Sequence, residues 1–422
     1  MNRATSFERD LQCSPGTRLR RRRFLPIVCR MLSRLIWGTG LLAVGVCRGG
    51  AQTRAYVTVA GDDPQQPGFV AVIDPEINLV IAAVVVGRQP QGIAVTPSGR
   101  TLYVANAGDG TVSAIRTGTS PRSTESIPIG GTPLGIAVSH DGTRVYVANA
   151  SDDTVSIIDT ASNNIVGSPI RVGRGPVRIA VAPDGNRAYV ANQIDGTVSL
   201  IDTANAAVAG TIIVDGMPMD VAIGAASDLL YVVDSASDSV KLVDITAEPV
   251  LAAAIAVGDS PLRLALSPDG ARAYVTNTGD GDVSVIDTAT NQVVGIPIVI
   301  GSGLFSGPVG IAVSPDGSRI GVAAAVDGTA VLLDPLRPEP AIVIAAGANP
   351  GDIVFVNLPN RPCAGDCDDD GRVTIDELVL GTNIAVGRGE VAQCPAFDVG
   401  GDGQVTVDEL VKAVNVALNG CP

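Results

Sequence analysis

The feature that most constrains this chain is an internal repeat that runs through its middle. Each unit opens with a proline, and these prolines stand at positions 90, 133, 176, 218, 261, 308 and 350. Within a unit, short runs rich in Val, Ile and Ala alternate with turn signals such as Pro268-Asp269-Gly270. Four short strands in every ~40–45 residues indicate one blade of a β-propeller. A helical solenoid is disfavoured because Gly and Pro interrupt every segment before a helical period develops.

The unit that opens at Pro261 shows the pattern most clearly. Its four strands are expected at Leu262–Ser267, Arg272–Thr276, Asp282–Asp287 and Gln292–Ile300. A tight turn joins the first two strands, and the loop Asn277–Gly281 joins the second to the third. The same order of strands and turns is expected in the other units.

The ends of the third strands give the number of blades. They lie at residues 72–74, 114–116, 157–159, 200–202, 242–244, 285–287 and 332–334, which makes seven. The first unit begins at its second strand, Arg54–Thr58, whereas the last stops after its first strand, Gly351–Val356. These fragments complete each other, so we expect the C-terminal strand to close the ring and leave few exposed sheet edges. The predicted fold class is all-β, a seven-bladed propeller over residues 53–358.

Composition agrees with this fold and limits the partners. Hydrophobic residues make up 46% of the chain but aromatic residues only 3%, so Val, Ile, Leu and Ala must fill the core. Val and Ile favour pleated, half-buried surfaces. The net charge is −14, although residues 1–52 carry ten arginines against two acids. The strongly acidic remainder would be repelled by nucleic acid and by anionic membranes.

Residues 1–52 have the pattern of an export leader. The apolar run 35–47 is too short to span a bilayer and has the length of a signal-peptide core. Cleavage after Ala51 and a start at Met31 would give an ordinary signal peptide. Alternatives are a twin-arginine signal at residues 21–25, a lipoprotein anchor at Cys47, and a cytosolic protein with a basic arm. We expect a secreted, periplasmic or cell-surface protein with no membrane span.

The repeat also resembles a known family. Segments such as GIAVSHDGTRVYVANASDDTVSIIDT, residues 135–160, resemble the YVTN-type β-propeller repeat. That family is similar to seven-bladed lactonase and surface-layer propellers. The pattern weakens at Ala225–Asp228, which replaces Pro-Asp-Gly, at Ile320-Gly321, which replaces the Tyr, and at the insertion Gly301–Gly307. A lactonase-like reaction would need a metal held by Asp, Glu and Asn in the central channel.

Most polar residues of the propeller recur with the repeat and are expected to serve the fold. The repeated Tyr is predicted to pack between blades, and the repeated Asn to be structural. The Asp that ends six of the seven third strands can accept bonds from the N–H groups of the turn that follows. Only Asp220 and Asp352 break the pattern near the start of a first strand, where channel-facing groups would lie. No other cluster of acids outside the repeat pattern stands out.

Catalytic side chains are scarce in this segment. His140 is the only histidine, and it lies in a turn where exposure is expected. Histidine triads, haem ligation and multi-histidine zinc sites are therefore disfavoured. The propeller segment has no cysteine, which excludes a thiol nucleophile there.

A second motif follows the linker 359–362. Residues 366–377, DCDDDGRVTIDE, match the calcium loop of an EF-hand, in which alternate oxygens converge on one hard cation. The predicted ligands are Asp366, Asp368, Asp370, Arg372 through its carbonyl, Thr374 and Glu377. A second copy at 398–409 offers Asp398, Asp402, Gln404 through its carbonyl, Thr406 and Glu409. Because Gly400 occupies the third position of that copy, weaker Ca²⁺ binding is expected there.

The segment 363–422 is predicted to be a small α-helical, EF-hand-like module. Each loop leads into a helix, at Asp376–Val386 and Asp408–Asn419. Four cysteines at 363, 367, 394 and 421 predict two disulfides in an exported unit, with the pairing open and a zinc site as the alternative. Two loop–helix units also resemble a dockerin, although both loops end in Glu where a dockerin has Asp.

These patterns support three functional hypotheses. The first is a secreted, non-enzymatic propeller that binds an unidentified protein or small molecule and carries a calcium-binding tail. The second is a metal-dependent, lactonase-like hydrolase that uses the propeller channel. The third is a dockerin-like tether, in which the C-terminal module docks on a protein partner of an extracellular assembly.

Overall fold

The structure, a computed structural model, describes residues 52–117, 124–300, 306–358, 375–385, 397 and 404–419. Up to residue 358, these residues form seven antiparallel sheets. The predicted signal peptide, the linker 359–362 and all cysteines lie outside the described residues. The seven-bladed, four-stranded architecture predicted from the repeat is confirmed.

The strands follow the chain blade by blade. Blade one contains β1 (Gln52–Val59), β2 (Pro67–Asp74), β3 (Leu79–Arg88) and the last strand, β29 (Pro350–Leu358). Blade two contains β4 (Pro90–Val95), β5 (Thr101–Asn106), β6 (Thr111–Arg116) and β7 (Thr124–Pro128). Blade three contains β8 (Pro133–Val138), β9 (Arg144–Asn149), β10 (Thr154–Asp159) and β11 (Ile170–Arg171). Blade four contains β12 (Pro176–Val181), β13 (Arg187–Asn192), β14 (Thr197–Asp202) and β15 (Ala207–Ile213).

The remaining blades repeat this order. Blade five contains β16 (Pro218–Ile223), β17 (Leu229–Asp234), β18 (Ser239–Asp244) and β19 (Val250–Ala256). Blade six contains β20 (Pro261–Leu266), β21 (Arg272–Asn277), β22 (Asp282–Asp287), β23 (Gln292–Val293) and β24 (Ile298–Val299). Blade seven contains β25 (Pro308–Val313), β26 (Ile320–Ala324), β27 (Thr329–Asp334) and β28 (Arg337–Ala345). The fourth strand expected within Gln292–Ile300 consists of two short strands, β23 and β24, because Gly295, at φ 77°, and Pro297 interrupt it.

The ring closes as the sequence predicts. Strand β29 pairs antiparallel with β1, with a register that runs from Gln52 opposite Leu358 to Val59 opposite Pro350. The first strands β29, β4, β8, β12, β16, β20 and β25 each contact the next around the ring, and β25 returns to β29. These seven strands therefore surround the propeller axis.

The hydrophobic core lies mainly between adjacent blades. One cluster packs Tyr146 and Ile157 of blade three against Ile179 and Val190 of blade four, and the other clusters of the propeller repeat this arrangement. The Tyr103 hydroxyl donates to Asn163 Oδ1 of the next blade at 2.8 Å. Burial, with nearby carboxylate charges, raises the pKa of Tyr103 to about 12. The repeated Tyr thus packs between blades, as predicted.

Repeated acidic residues hold the turns. Asp159 Oδ1 accepts the Ser162 N–H at 3.0 Å, and its Oδ2 pairs with Arg144 Nη1 at 2.7 Å. In the Pro-Asp-Gly turn of blade six, Asp269 Oδ1 accepts the Ser267 hydroxyl at 2.5 Å. Hydrogen bonds from Ser162, chiefly from its side chain, lower the pKa of Asp159. The structural interpretation of these aspartates is confirmed.

The described C-terminal residues contain two short helices, α1 (Ile375–Ala385) and α2 (Val407–Asn419). Ile384, Phe397, Val405 and Ala413 form a small buried cluster between them. The helix bounds agree with the sequence expectation within one residue. Two short helices do not by themselves support a distinct EF-hand domain. No helix among the described residues is long and apolar enough to cross a membrane.

Candidate functional site

The third residue of each first strand occupies an equivalent position beside the channel, which we call the inner ring position. Every blade has a register shift near the proline that opens this strand. Such shifts re-aim individual side chains and are common beside functional sites. From blade one to blade seven, the inner ring positions hold Asp352, Gly92, Gly135, Arg178, Asp220, Arg263 and Gly310. The repeat is therefore broken here by four charged residues.

Arg178 and Asp352 form an ion pair that crosses the channel. Arg178 Nη2 lies 2.8 Å from Asp352 Oδ2, and both residues are at least nine-tenths buried. Their blades, four and one, lie nearly opposite in a ring of seven. Burial lowers the pKa of Arg178, but the carboxylates of Asp352 and Asp220 outweigh it and raise that pKa above its usual value. Arg178 therefore remains charged and ties opposite sides of the ring together.

Asp352 also links neighbouring strands. Its N–H donates to Thr58 Oγ1 at 2.8 Å, and its Oδ1 accepts the Ile353 N–H at 3.0 Å. Thr58 in turn donates to the Gln91 carbonyl of blade two at 2.9 Å. Both carboxylate oxygens of Asp352 are thus used by the fold.

Asp220 is buried and held by main-chain donors. Its Oδ1 accepts the Val221 N–H at 2.9 Å, and its Oδ2 accepts the Leu264 N–H of the next blade at 3.0 Å. Burial raises the pKa of Asp220, and the charges of Arg178 and Arg263 only partly oppose that effect. Asp220 therefore fastens blade five to blade six.

Arg263 completes the charged group and has no carboxylate partner within the part of the chain that the structure describes. Its Nη1 donates to the carbonyls of Met219 at 3.1 Å and Leu262 at 3.0 Å. Burial, followed by the charge of Arg178, lowers the pKa of Arg263 to about 10. The two arginines of the inner ring therefore differ: one is paired with a carboxylate and the other is not.

This arrangement is poorly suited to a catalytic metal. A hard divalent cation needs several oxygen ligands and excess negative charge. Here two guanidinium groups accompany two carboxylates whose oxygens already accept hydrogen bonds. Across the described part of the chain, no group of three or more His, Cys, Asp or Glu residues could hold a metal ion. The sequence placed Asp220 and Asp352 near the channel correctly, but it missed both arginines.

The sequence expectation concerned acids alone, so it did not include Arg178 and Arg263, which also break the repeat at this position. The signal was present: aligning the third residue after each proline reveals two arginines beside the two aspartates. A search restricted to acids and histidine overlooks them. His140 is exposed in its turn, as expected. Ala225–Asp228 forms a turn in which Ser227, at φ 58°, replaces glycine, and residues 301–305 lie outside the described residues.

Blade five contains a second buried departure from the repeat. In four blades, the Asn that ends the second strand donates to a Ser seven residues later, in the pairs Asn106–Ser113, Asn149–Ser156, Asn192–Ser199 and Asn277–Ser284. Blade five has Asp234 and Lys241 instead, with Lys241 Nζ 2.6 Å from Asp234 Oδ2. Lys241 also donates to the carbonyls of Val214 and Asp215. The two substitutions compensate each other within the fold.

The propeller also carries an open groove on its outer part, with a volume of about 540 Å³. It lies between blades four and five, and Arg187, Asp202 and Glu248 are its charged lining residues. Asp202 is occupied by its own turn, because it accepts hydrogen bonds from Ala204 and Asn205. The groove therefore offers few charged side chains that are free to bind or activate a substrate.

The predicted calcium ligands are only partly described. Asp366, Asp368, Asp370, Arg372, Thr374, Asp398 and Asp402 lie outside the described residues, as does the side chain of Glu377. Gln404, Thr406 and Glu409 lie in or just before α2. The Thr406 N–H and hydroxyl donate to Glu409 Oε2 at 2.8 and 2.9 Å, and the Glu409 N–H faces Thr406 Oγ1 at 3.4 Å. This reciprocal capping box fixes the start of α2.

Comparisons with known proteins identify the same fold. The family model described as Lactonase, 7-bladed beta-propeller, matches residues 80–167, which is less than half of the chain. No curated protein matches the chain. The solved hydrazine synthase of Kuenenia stuttgartiensis is similar at 23% identity and a TM-score of 0.50, covering 58% of this chain and 76% of that one.

Two further solved structures cover more of the propeller. A functionally unknown protein from Desulfotomaculum acetoxidans has a TM-score of 0.60 at 16% identity, covering 72% of this chain and 99% of its own. A Bacteroides fragilis protein provisionally assigned as a 6-phosphogluconolactonase has a TM-score of 0.58 at 13% identity, covering 74% and 99%. At these identities the likeness establishes the propeller fold alone.

Proposed function

We propose that this chain is an exported propeller that acts as a binding scaffold and carries a calcium-binding C-terminal segment. The observation that carries the scaffold role is the commitment of both channel carboxylates. Asp352 is paired with Arg178 across the axis, and both oxygens of Asp220 accept main-chain N–H groups. A general base needs a lone pair within reach of a substrate proton, and every oxygen of these two carboxylates already accepts a hydrogen bond within the fold.

Lactone hydrolysis is the second candidate. It is favoured by the match of residues 80–167 to the lactonase family model and by the likeness to the protein from Bacteroides fragilis. Among the described channel acids, Asp220 is the group whose pKa is raised by burial, the direction expected of a carboxyl that transfers a proton. Removing the Asp220 carboxylate therefore distinguishes the scaffold role from lactone hydrolysis.

The experiment is a turnover assay on the full chain. Five- and six-membered sugar lactones, with and without a phosphate group, are incubated with the protein, and acid release is followed at constant pH. The scaffold role predicts no release above the buffer rate, with or without added Ca²⁺ or Mg²⁺. Turnover that Asp220→Asn abolishes while the far-ultraviolet circular dichroism stays unchanged would overturn it.

Calcium binding is proposed for the two loops at 366–377 and 398–409. Their oxygen-bearing residues alternate as an EF-hand loop requires, with glycine at the sixth position of each. The described end of the second loop supports this assignment, because Thr406 and Glu409 already converge at the start of α2. Glu377 would supply both carboxylate oxygens to the ion, whereas Glu409 would have to release its cap on Thr406 to do the same.

The calcium proposal is tested by calorimetric titration of the full chain with Ca²⁺. Two binding events are expected, the weaker from the second loop because Gly400 supplies no side-chain ligand. Glu377→Gln should remove the stronger event and Glu409→Gln the weaker one. Glu248→Gln, the same change at an exposed propeller residue, serves as the control. Identical titrations for all four proteins would refute the assignment.

Export and docking complete the proposal. The leader supports export, and N-terminal sequencing of the mature protein should begin after Ala51. A dockerin-like role for the module predicts that Ca²⁺ is required for capture of a protein partner, and that Glu377→Gln prevents it. A mature protein that retains residues 1–52 would contradict export.

A further inference from the structure

Arg263 has no direct carboxylate partner among the described residues. Its hydrogen bonds are both made by Nη1 to carbonyl oxygens, and its buried Nε has no hydrogen-bond partner. Among the described residues, no carboxylate lies within ion-pair distance of its guanidinium group. Burying a cation costs free energy unless an anion pairs with it. Arg263 is half-buried, and Asp220 and Asp352 offset its charge only from a distance, without direct contact.

The two nearby carboxylates are directed elsewhere. Asp352 pairs with Arg178 at 2.8 Å, and Asp220 accepts the N–H groups of Val221 and Leu264. Moving either carboxylate toward Arg263 would break these bonds and leave other buried groups unpaired. Among the described residues, then, no carboxylate is available to pair directly with Arg263.

A second buried donor lies in the same group. Arg178 is 9% exposed, and its Nε also has no hydrogen-bond partner. The positive charge of Arg178 reaches Arg263, because it contributes to the lowered pKa of the latter. The other three inner ring positions are glycines, which place no side chain in the channel. Two guanidinium groups with unused donors therefore share the inner ring.

We propose that the channel binds a small oxyanion, a carboxylate or a phosphate group of a ligand, through the guanidinium group of Arg263 with support from Arg178. Guanidinium groups recognise both anions through paired, charge-assisted hydrogen bonds. The inference rests on the proposed binding role and specifies its ligand class. The two claims can fail independently. If no anion binds in the titration, this inference is wrong, but the outcome of the turnover assay is unaffected.

The test titrates the full chain, in low-salt buffer without chloride, with inorganic phosphate and separately with acetate. Calorimetry gives the affinity, and the arm with the stronger response identifies the preferred anion. Arg263→Met should weaken binding at least about tenfold, because charge-assisted hydrogen bonds contribute about 1.5–3 kcal/mol. Arg171→Met, at an exposed residue of β11, should leave the affinity unchanged. No binding of either anion, or equal affinity in Arg263→Met, would overturn the proposal.

A spectroscopic readout guards against misfolding of the methionine variant. The ¹H–¹⁵N signal of Arg263 Nε is assigned from its loss in Arg263→Lys, which keeps the charge. Saturating phosphate or acetate should shift this signal in the unmodified protein, whereas that of Arg171 should stay in place. An unmoved Arg263 signal would show that the side chain only braces the carbonyls of Met219 and Leu262.

Discussion

The Asp234–Lys241 pair of blade five gives the sharpest prediction, because the repeat itself supplies the control sequence. Asp234→Asn with Lys241→Ser rewrites this pair as the Asn–Ser pair found in four other blades. The side chain of Asp234 is fully buried and that of Lys241 is 11% exposed. We expect the double variant to be more stable than either single variant.

The expected magnitude follows from the burial of both charges. Removing one partner of a buried ion pair costs about 3–5 kcal/mol, because it leaves an uncompensated charge. Lys241→Ser should cost an amount near the upper end of this range, because the fully buried Asp234 loses its cation. Asp234→Asn should lie at the lower end, because Lys241 still donates to the carbonyls of Val214 and Asp215. The coupling between the two changes should exceed about 2 kcal/mol.

Urea unfolding followed by far-ultraviolet circular dichroism measures these free energies. The same cycle at Arg272 and Asp287, a partly exposed pair at 2.9 Å, serves as the control and should show little coupling. Additive effects of Asp234→Asn and Lys241→Ser would refute the reasoning, because they would mean that the two buried charges do not compensate each other.

Three further outcomes follow from the same contacts. Gly216→Ala should destabilise the fold by more than about 1 kcal/mol, because φ is 115° and a Cβ would collide with the Asp234 carboxylate. Tyr103→Phe should cost about 1 kcal/mol through the lost bond to Asn163, as measured by urea unfolding. Burial raises the pKa of Asp220 in the folded protein. Between about pH 4 and that raised pKa, the folded state therefore binds more protons than the unfolded state. Stability should therefore fall as pH rises through this window, and Asp220→Asn should remove that fall.

The glycine and pH predictions each have a matched control. Gly185→Ala, at φ 72° with nothing near the added Cβ, isolates the backbone cost and should be milder than Gly216→Ala. Asp269→Asn should change the pH dependence of stability below about pH 4 instead. The reason is that hydrogen bonds, chiefly from the Ser267 side chain, lower the pKa of the Asp269 carboxyl. Equal losses for the two alanine variants, or identical pH profiles for the two asparagine variants, would contradict the contacts invoked.

The repeat predicted the architecture because the period, the turn residues and the strand order are all local in sequence. The two incomplete units at Arg54–Thr58 and Gly351–Val356 predicted the β1–β29 pairing, since each lacked the strands that the other had. The split of the fourth strand in blade six was less accessible. Gly295 and Pro297 interrupt it, but the sequence alone does not show which residues keep pairing.

The charged inner ring was only half predictable. Asp220 and Asp352 stood out as acids that break the repeat, but their partners come from blades distant in sequence. Arg178 and Asp352 are 174 residues apart, and only the ring geometry places them face to face. That limit does not apply to Lys241, whose partner Asp234 stands seven residues earlier in the sequence. Its spacing from Asp234 matches that of Asn and Ser in other blades, and this signal was readable.

The central claim is that the charged residues of the channel hold the ring together. The most direct measurement compares the urea unfolding of Arg178→Met with that of Arg174→Met, whose pair with Asp195 is two-thirds exposed on the arginine side. Arg178→Met leaves Asp352 buried without its cation and should cost about 3–5 kcal/mol, whereas Arg174→Met should change little. Equal stability of the two variants, or a gain for Arg178→Met, would contradict the claim.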